Sequence, residues 1–144
     1  MRRPPLEEGK RWLDQARADL YGAEALLAAG SYHLACFVAE QVAEKALKAF
    51  LFAQGEEIVL GHSEVLASHA AEYDPEFEEL RSQVASLDGY YIPTRYPNAL
   101  PDSIPARVFG RHNAEEALTQ ARTALGFVAR KLALDATDPT RRTP

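Results

Sequence analysis

Cysteine is nearly absent: the 144 residues hold one, Cys36. A lone cysteine forms no internal disulfide, so the chain suits a reducing compartment. Long hydrophobic runs are missing too, and nothing approaches the roughly 18 apolar residues that a membrane span needs. The opening MRRPPLEEGK lacks the apolar stretch of a secretory signal, so a cytoplasmic location without membrane attachment is expected. No segment sustains the two-residue alternation of a half-buried strand, and no sheet is expected. There is no glycine-rich phosphate loop, and spacing alone reveals no Ser-His-Asp arrangement. Cys36 lies in an apolar stretch and reads as a small buried hydrophobe rather than a nucleophile.

What the chain does have is helical periodicity. Apolar residues make up 47% of it, enough for one domain of this length to bury a core. Trp12, Leu13, Ala16, Leu20, Ala23 and Leu27 recur at three and four, which predicts a first helix over residues 7–29, closed by Gly30. Ser31 is placed to cap a second helix over residues 32–54. A short third helix is predicted from His62 or Ser63 through Tyr73. Asp74-Pro75 reads as a cap followed by a first-turn proline, opening a fourth helix with Phe77, Leu80, Val84, Leu87 and Tyr91 on one face. Asn113 and Glu116 form a capping-box pattern at the start of the last helix, which carries Leu118, Ala121, Leu125, Val128 and Leu132. The expected fold is all-α: an antiparallel up-and-down bundle of four or five helices with a long proline-rich loop before the last. The domain is expected over residues 7–134, between flexible tails at 1–6 and 135–144.

Charge is unevenly spread. The net charge is −5, yet residues 56–88 hold nine acidic side chains against Arg81 alone, and residues 95–131 hold six basic and three acidic ones. The second half is therefore a candidate positive patch; the alternative is two solvated faces of opposite sign.

The second helix is apolar almost all round, which marks it as interior. Its polar residues gather on one stripe: His33, Glu40, Glu44 and Lys48, edged by Gln41 and Lys45. On an interior helix such a stripe faces a groove or an interface; the competing reading is a solvated seam braced by a Glu44–Lys48 pair. Glu40, Glu44 and His33 share a face, but di-metal bundles use Glu-x-x-His on two helices. No such pair occurs, so neither metal nor cofactor is expected. His62 is expected to help start the third helix.

Residues 92–112 carry prolines at 93, 97, 101 and 105, which forbid a regular helix there. A long irregular loop in a small domain is usually functional or disordered. Within it, Arg95 is a candidate phosphate contact, with Tyr96, Tyr90 or Tyr91 as stacking partners. Alternatively, Tyr91 extends the apolar face and the Tyr-Pro pair pins the loop.

Two stretches, Phe37-Val-Ala-Glu-Gln-Val-Ala-Glu-Lys-Ala-Leu-Lys-Ala-Phe-Leu and Leu87-Asp-Gly-Tyr-Tyr-Ile-Pro-Thr-Arg-Tyr-Pro-Asn, flank Gly61-His62-Ser63. In this order they resemble the HEPN (higher eukaryotes and prokaryotes nucleotide-binding) domain family, over residues 11–132. The resemblance implies a helical bundle, often a homodimer. It also implies a minimal nucleotidyltransferase encoded alongside, in pairs that resemble toxin–antitoxin systems. Other branches of the family are metal-independent ribonucleases with an Arg-x(4–6)-His motif near the last helix. Arg107 and His112 match that motif with four residues between them. A histidine suits proton transfer to and from the 2′-hydroxyl and the leaving group, and an arginine suits the scissile phosphate. The sequence departs from the active pattern at Val108, where active members often carry a small polar residue, and no Tyr follows His112 at short spacing. Three expectations stay open. One is a dimeric module binding nucleotide, RNA or a nucleotidyltransferase through Glu40, Gln41, Glu44, Lys45, Lys48, Arg95 and Tyr96. The second is a ribonuclease acting through Arg107 and His112, and the third is a structural dimer without ligand.

Overall fold

The computed structural model describes residues 3–137, with side chains to residue 133. Among these residues six α-helices follow one another: α1 Pro5–Ala28, α2 Tyr32–Ala53, α3 Ser63–Tyr73, α4 Phe77–Val84, α5 Pro105–Val108 and α6 Arg111–Thr137. Two 3₁₀ segments, Ala85–Tyr90 and Pro97–Ala99, lie between α4 and α5. Among the described residues there is no strand, and no helix is long and apolar enough to cross a membrane. The fold is an all-α helical bundle.

α2 is its axis. Twelve of its 22 residues are buried, and it packs against α1, α3 and α6, as its apolar circumference requires. α1 runs antiparallel to it: Gly9 meets Ala49 and Ala53, while Asp19 reaches Lys45. The two helices approach closely because small residues line the seam, and a Cβ on Gly9 would sit 2.6 Å from the Ala49 carbonyl oxygen. Gly30 and Gly55, with φ of 80° and 100°, close α1 and α2 in the left-handed conformation. The Ser31 N–H bonds the Leu26 carbonyl, and the Glu56 N–H bonds that of Leu51, the pattern of a Schellman cap.

α3 departs from simple up-and-down order. His62, just before α3, lies beside Glu44, whereas Tyr73 at its end meets Phe50 and Glu56. α3 therefore runs in the same direction as α2. Residues 54–62 make this possible by returning along α2, burying Val59 on the way; a nine-residue connection easily covers the roughly 13 Å that nine helical residues rise. α4 then turns back, with Phe77 against Phe127 and Ser86 bonded to Gln120 of α6.

Several local expectations shift. α1 begins at Pro5, so part of the expected 1–6 tail is helical, with proline in the first turn. α6 continues through Thr137, and the rest of the expected 135–144 tail lies outside the described residues. Ser31 stands at the α2 cap position without a side-chain cap bond. α4 starts at Phe77, after a turn in which Asp74 accepts from the Glu76 N–H at 3.1 Å. Its winding tightens at Ala85, yet Phe77, Leu80, Val84 and Leu87 all stay buried. Asn113 does not stand before α6. It lies in the first turn and accepts from the Gly110 N–H at 3.0 Å, the reciprocal half of a capping box. The prolines of residues 92–112 punctuate more than they forbid: Pro97 and Pro105 each open a short helical turn, where a missing N–H costs nothing. The basic surplus of the second half is partly neutralised, since Lys131 pairs with Asp74 and Glu76, and Arg122 with Glu24.

Candidate functional site

The sequence runs around His62 and Tyr91 meet through Asp88. Its carboxylate accepts from the Ser63 N–H at 2.8 Å and the Glu64 N–H at 3.2 Å. It caps α3 from another element and satisfies two of the donors that every helix start leaves open. This cap sets the His62 ring 4.6 Å from that of Tyr91. The 3₁₀ segment Ala85–Tyr90 thus links the end of the 54–62 connection to the proline-rich loop.

On its other side His62 faces the acidic half of the α2 stripe. Its Nδ1 lies 3.4 Å from Glu44 Oε2 and 3.7 Å from Glu40 Oε1. Glu40 is wholly buried. Gln41 donates to Glu40 Oε2 at 2.6 Å, and Lys48 pairs with Glu44 Oε1 at 3.2 Å. The oxygens facing His62 are thus the ones these neighbours do not hold, apart from a long 3.4 Å contact from Gln41 to Glu44 Oε2. Among the described residues no N–H or O–H donates to Glu40 Oε1. Burial first, and then the hydrogen bond with Glu44, push the Glu40 carboxyl up to about 8. Burial acts upward on Glu44 too, but hydrogen bonds with Glu40 and Lys48 and the Lys48 charge hold it below the usual carboxylate range. Near neutral pH Glu40 therefore carries a proton and Glu44 a negative charge. Glu40, Glu44 and His62 present one ligand atom each within 4.8 Å of one another.

Beyond Tyr91 lies Arg95. Its Nε donates to the Tyr91 carbonyl at 2.8 Å, and its guanidinium carbon stands 4.4, 4.5 and 5.0 Å from the ring centres of Phe37, Tyr91 and Tyr96. The neighbouring Thr94 hydroxyl is buried and bonds the Tyr90 carbonyl. Two consecutive side chains thus fold back onto the preceding turn and hold the loop in place. Among the described residues the Arg95 Nη nitrogens have no hydrogen-bond partner, and Tyr96 is half-exposed.

The candidate residues separate into three groups. Glu40, Gln41 and Glu44 gather with His62, and through Tyr91 they adjoin Arg95 and Tyr96. Lys45 turns to Asp19 of α1 at 2.5 Å, and Lys48 lies 6.0 Å from the Trp12 ring, so the basic half of the stripe braces α1 against α2. The Glu44–Lys48 pair of the competing reading is present as well. Arg107 is exposed on α5, and His112, 88% exposed, lies 3.6 Å from Glu116. Neither is joined by a hydrogen bond, ion pair or ring contact to the acidic pair or to Arg95 among the described residues. His62 replaces His33 as the histidine beside the two glutamates. Phe37 and Asp88 escape a reading of the sequence because each is an ordinary residue until the elements are packed.

A model of the HEPN domain matches residues 10–132. The chain belongs to the HEPN domain family. Among solved structures it is similar to TT1696 from Thermus thermophilus, at 43% identity and a TM-score of 0.76, covering 86% of this chain and 98% of that one. It is also similar to ST0689, an archaeal HEPN homologue, at 32% identity and a TM-score of 0.70, with 92% and 99% covered. A third is an HEPN domain protein, tm0613, from Thermotoga maritima, at 28% identity and a TM-score of 0.68, with 85% and 98% covered. No curated protein matches. These three relatives align over almost their whole length, and the residues of the site described above lie within the matched HEPN region.

Proposed function

We propose that this HEPN protein is a dimeric binding module that takes a nucleotide or a single-stranded RNA at the Arg95 corner. The observation that carries this reading is the Arg95 guanidinium. Its Nε is committed to the Tyr91 carbonyl, its faces are covered by aromatic rings, and its Nη edge is left to a ligand. A guanidinium held this way meets a phosphate without first losing rotamer freedom. The half-exposed Tyr96 ring beside it offers a stacking surface for a base. Glu40, Gln41 and Glu44 form the adjoining wall, where an uncharged Glu40 limits repulsion of the phosphate. Ile58 and Leu60, each 78% exposed, lie on the connection leading to His62 and support a protein contact there, with a second copy or a minimal nucleotidyltransferase. The toxin–antitoxin-like pairing implied by the family resemblance belongs to the same proposal.

Fluorescence anisotropy with a labelled short RNA, competed by ATP, tests the ligand. Arg95→Ala is expected to weaken binding about tenfold or more, the loss of one pre-oriented charge-assisted contact. Equal affinity in the two proteins removes the reading. Native mass and co-expression with neighbouring reading frames test the dimer and the nucleotidyltransferase.

A second reading rests on Arg107 and His112, both exposed on either side of the break between α5 and α6. As a metal-independent ribonuclease, the protein would cleave RNA in EDTA and lose that cleavage on His112→Ala. A structural dimer would neither bind nor cleave.

A further inference from the structure

We propose that Glu40, Glu44 and His62 form a binding site for one divalent first-row transition cation, such as Zn²⁺ or Co²⁺. The two glutamates are one helical turn apart on α2, and the α3 cap by Asp88 carries the histidine to them. Each carboxylate is already oriented by a neighbour on its other oxygen, Gln41 on Glu40 and Lys48 on Glu44. Outer partners fix first ligands in this way in metal sites. The remaining oxygens converge on His62 Nδ1 at 3.7 and 3.4 Å. Ligand atoms around a tetrahedral ion at about 2.1 Å stand roughly 3.4 Å apart, so little movement is needed.

A second observation points to a ligand independently of the clustering. Glu40 is wholly buried, and among the described residues no N–H or O–H donates to its Oε1, which is aimed into the cluster. Such an atom calls for a proton or a cation. A cation would displace the proton that otherwise sits between the two carboxyls. One imidazole nitrogen with two carboxylates favours Zn²⁺, Co²⁺ or Mn²⁺ over Mg²⁺ or Ca²⁺, which prefer all-oxygen shells. The His62 side chain is 47% exposed and gives the ion its entry path, while solvent supplies the open coordination position.

The full-length protein, stripped with EDTA and desalted, is titrated with Co²⁺ by visible absorption and with Zn²⁺ by calorimetry. One cation per chain is expected, with the ligand-field bands of a low-coordinate cobalt centre. Glu40→Gln, the same size and able to keep the Gln41 contact, and His62→Ala are expected to weaken binding about tenfold or more. His69→Ala, which alters the separate His69–Glu56 pair, is expected to bind as the parent does. Circular dichroism of each variant reports folding. Absence of stoichiometric binding overturns the proposal. So does affinity unchanged in folded Glu40→Gln and His62→Ala, or a loss that instead follows His69→Ala.

Discussion

Replacing Glu40 by glutamine is expected to stabilise the metal-free protein, by an amount that grows as pH rises from about 4.5 to about 8. The carboxyl is wholly buried, and its value is pushed from an ordinary 4.5 up to about 8. Between those two pH values the folded state keeps a proton that the unfolded chain has released. Stability contributed by Glu40 is therefore intact below about pH 4.5 and is lost as pH rises through about 8. The gap corresponds to about 3–5 kcal/mol when fully developed. Glu44 is shifted the other way. Its contribution is complete above the ordinary carboxylate value and is lost only in acid, so it adds little slope between pH 5 and 8.5. Glutamine keeps the volume and the Gln41 contact but cannot ionise. Urea unfolding in EDTA at pH 5 and 8.5 measures the effect. Glu40→Gln should be within about 1 kcal/mol of the parent at pH 5 and about 3 kcal/mol more stable at pH 8.5. A variant equally destabilised at both pH values would refute the reasoning, because Glu40 would then be a charge held by its partners rather than a buried acid.

Gly9→Ala reverses the usual helix-propensity gain: its new Cβ would lie 2.6 Å from the Ala49 oxygen and 2.7 Å from the Ala53 Cβ, and thermal or urea unfolding should register a loss of about 1–3 kcal/mol. Asp88→Ala removes both bonds to the start of α3; a cost of about 1–2 kcal/mol is expected, with hydrogen exchange accelerating at Ser63 and Glu64 before it does in α1. The Cys36 thiol is buried and pushed up to about 12, so a thiol reagent at pH 8 should label the unfolded chain readily and the native one hardly at all.

The long helices are readable because their burial follows a period. Leu13, Ala16 and Ala23 of α1 and Leu118, Ala121, Leu125, Val128 and Leu132 of α6 are all buried where the three-four spacing places them. α2 is interior as its apolar circumference requires, and its acidic stripe is a real feature. What periodicity does not carry is the path of residues 54–62. A connector's composition does not say whether it leaves a helix or doubles back along it, so His62 reads as a local helix starter and His33 as the stripe's histidine. The same blindness hides Phe37, one apolar residue among many until Arg95 lies over it. Lys45 and Lys48 are legible as polar but not as braces, because their partners Asp19 and Trp12 sit on α1. Asn113 is recognisable as a capping residue but at the wrong end of its box, since Gly110, which has no side chain to signal with, holds the cap position.

Whether ligand meets this protein at Arg95 is decided most directly by the arginine Nε–Hε resonances in a ¹⁵N spectrum, followed during titration with ATP or a short RNA. The Arg95 signal is expected to move together with the Tyr96 ring, at constant Arg107 and His112 signals. Movement confined to Arg107 and His112, with Arg95 and Tyr96 unchanged at saturation, would contradict a ligand site at Arg95.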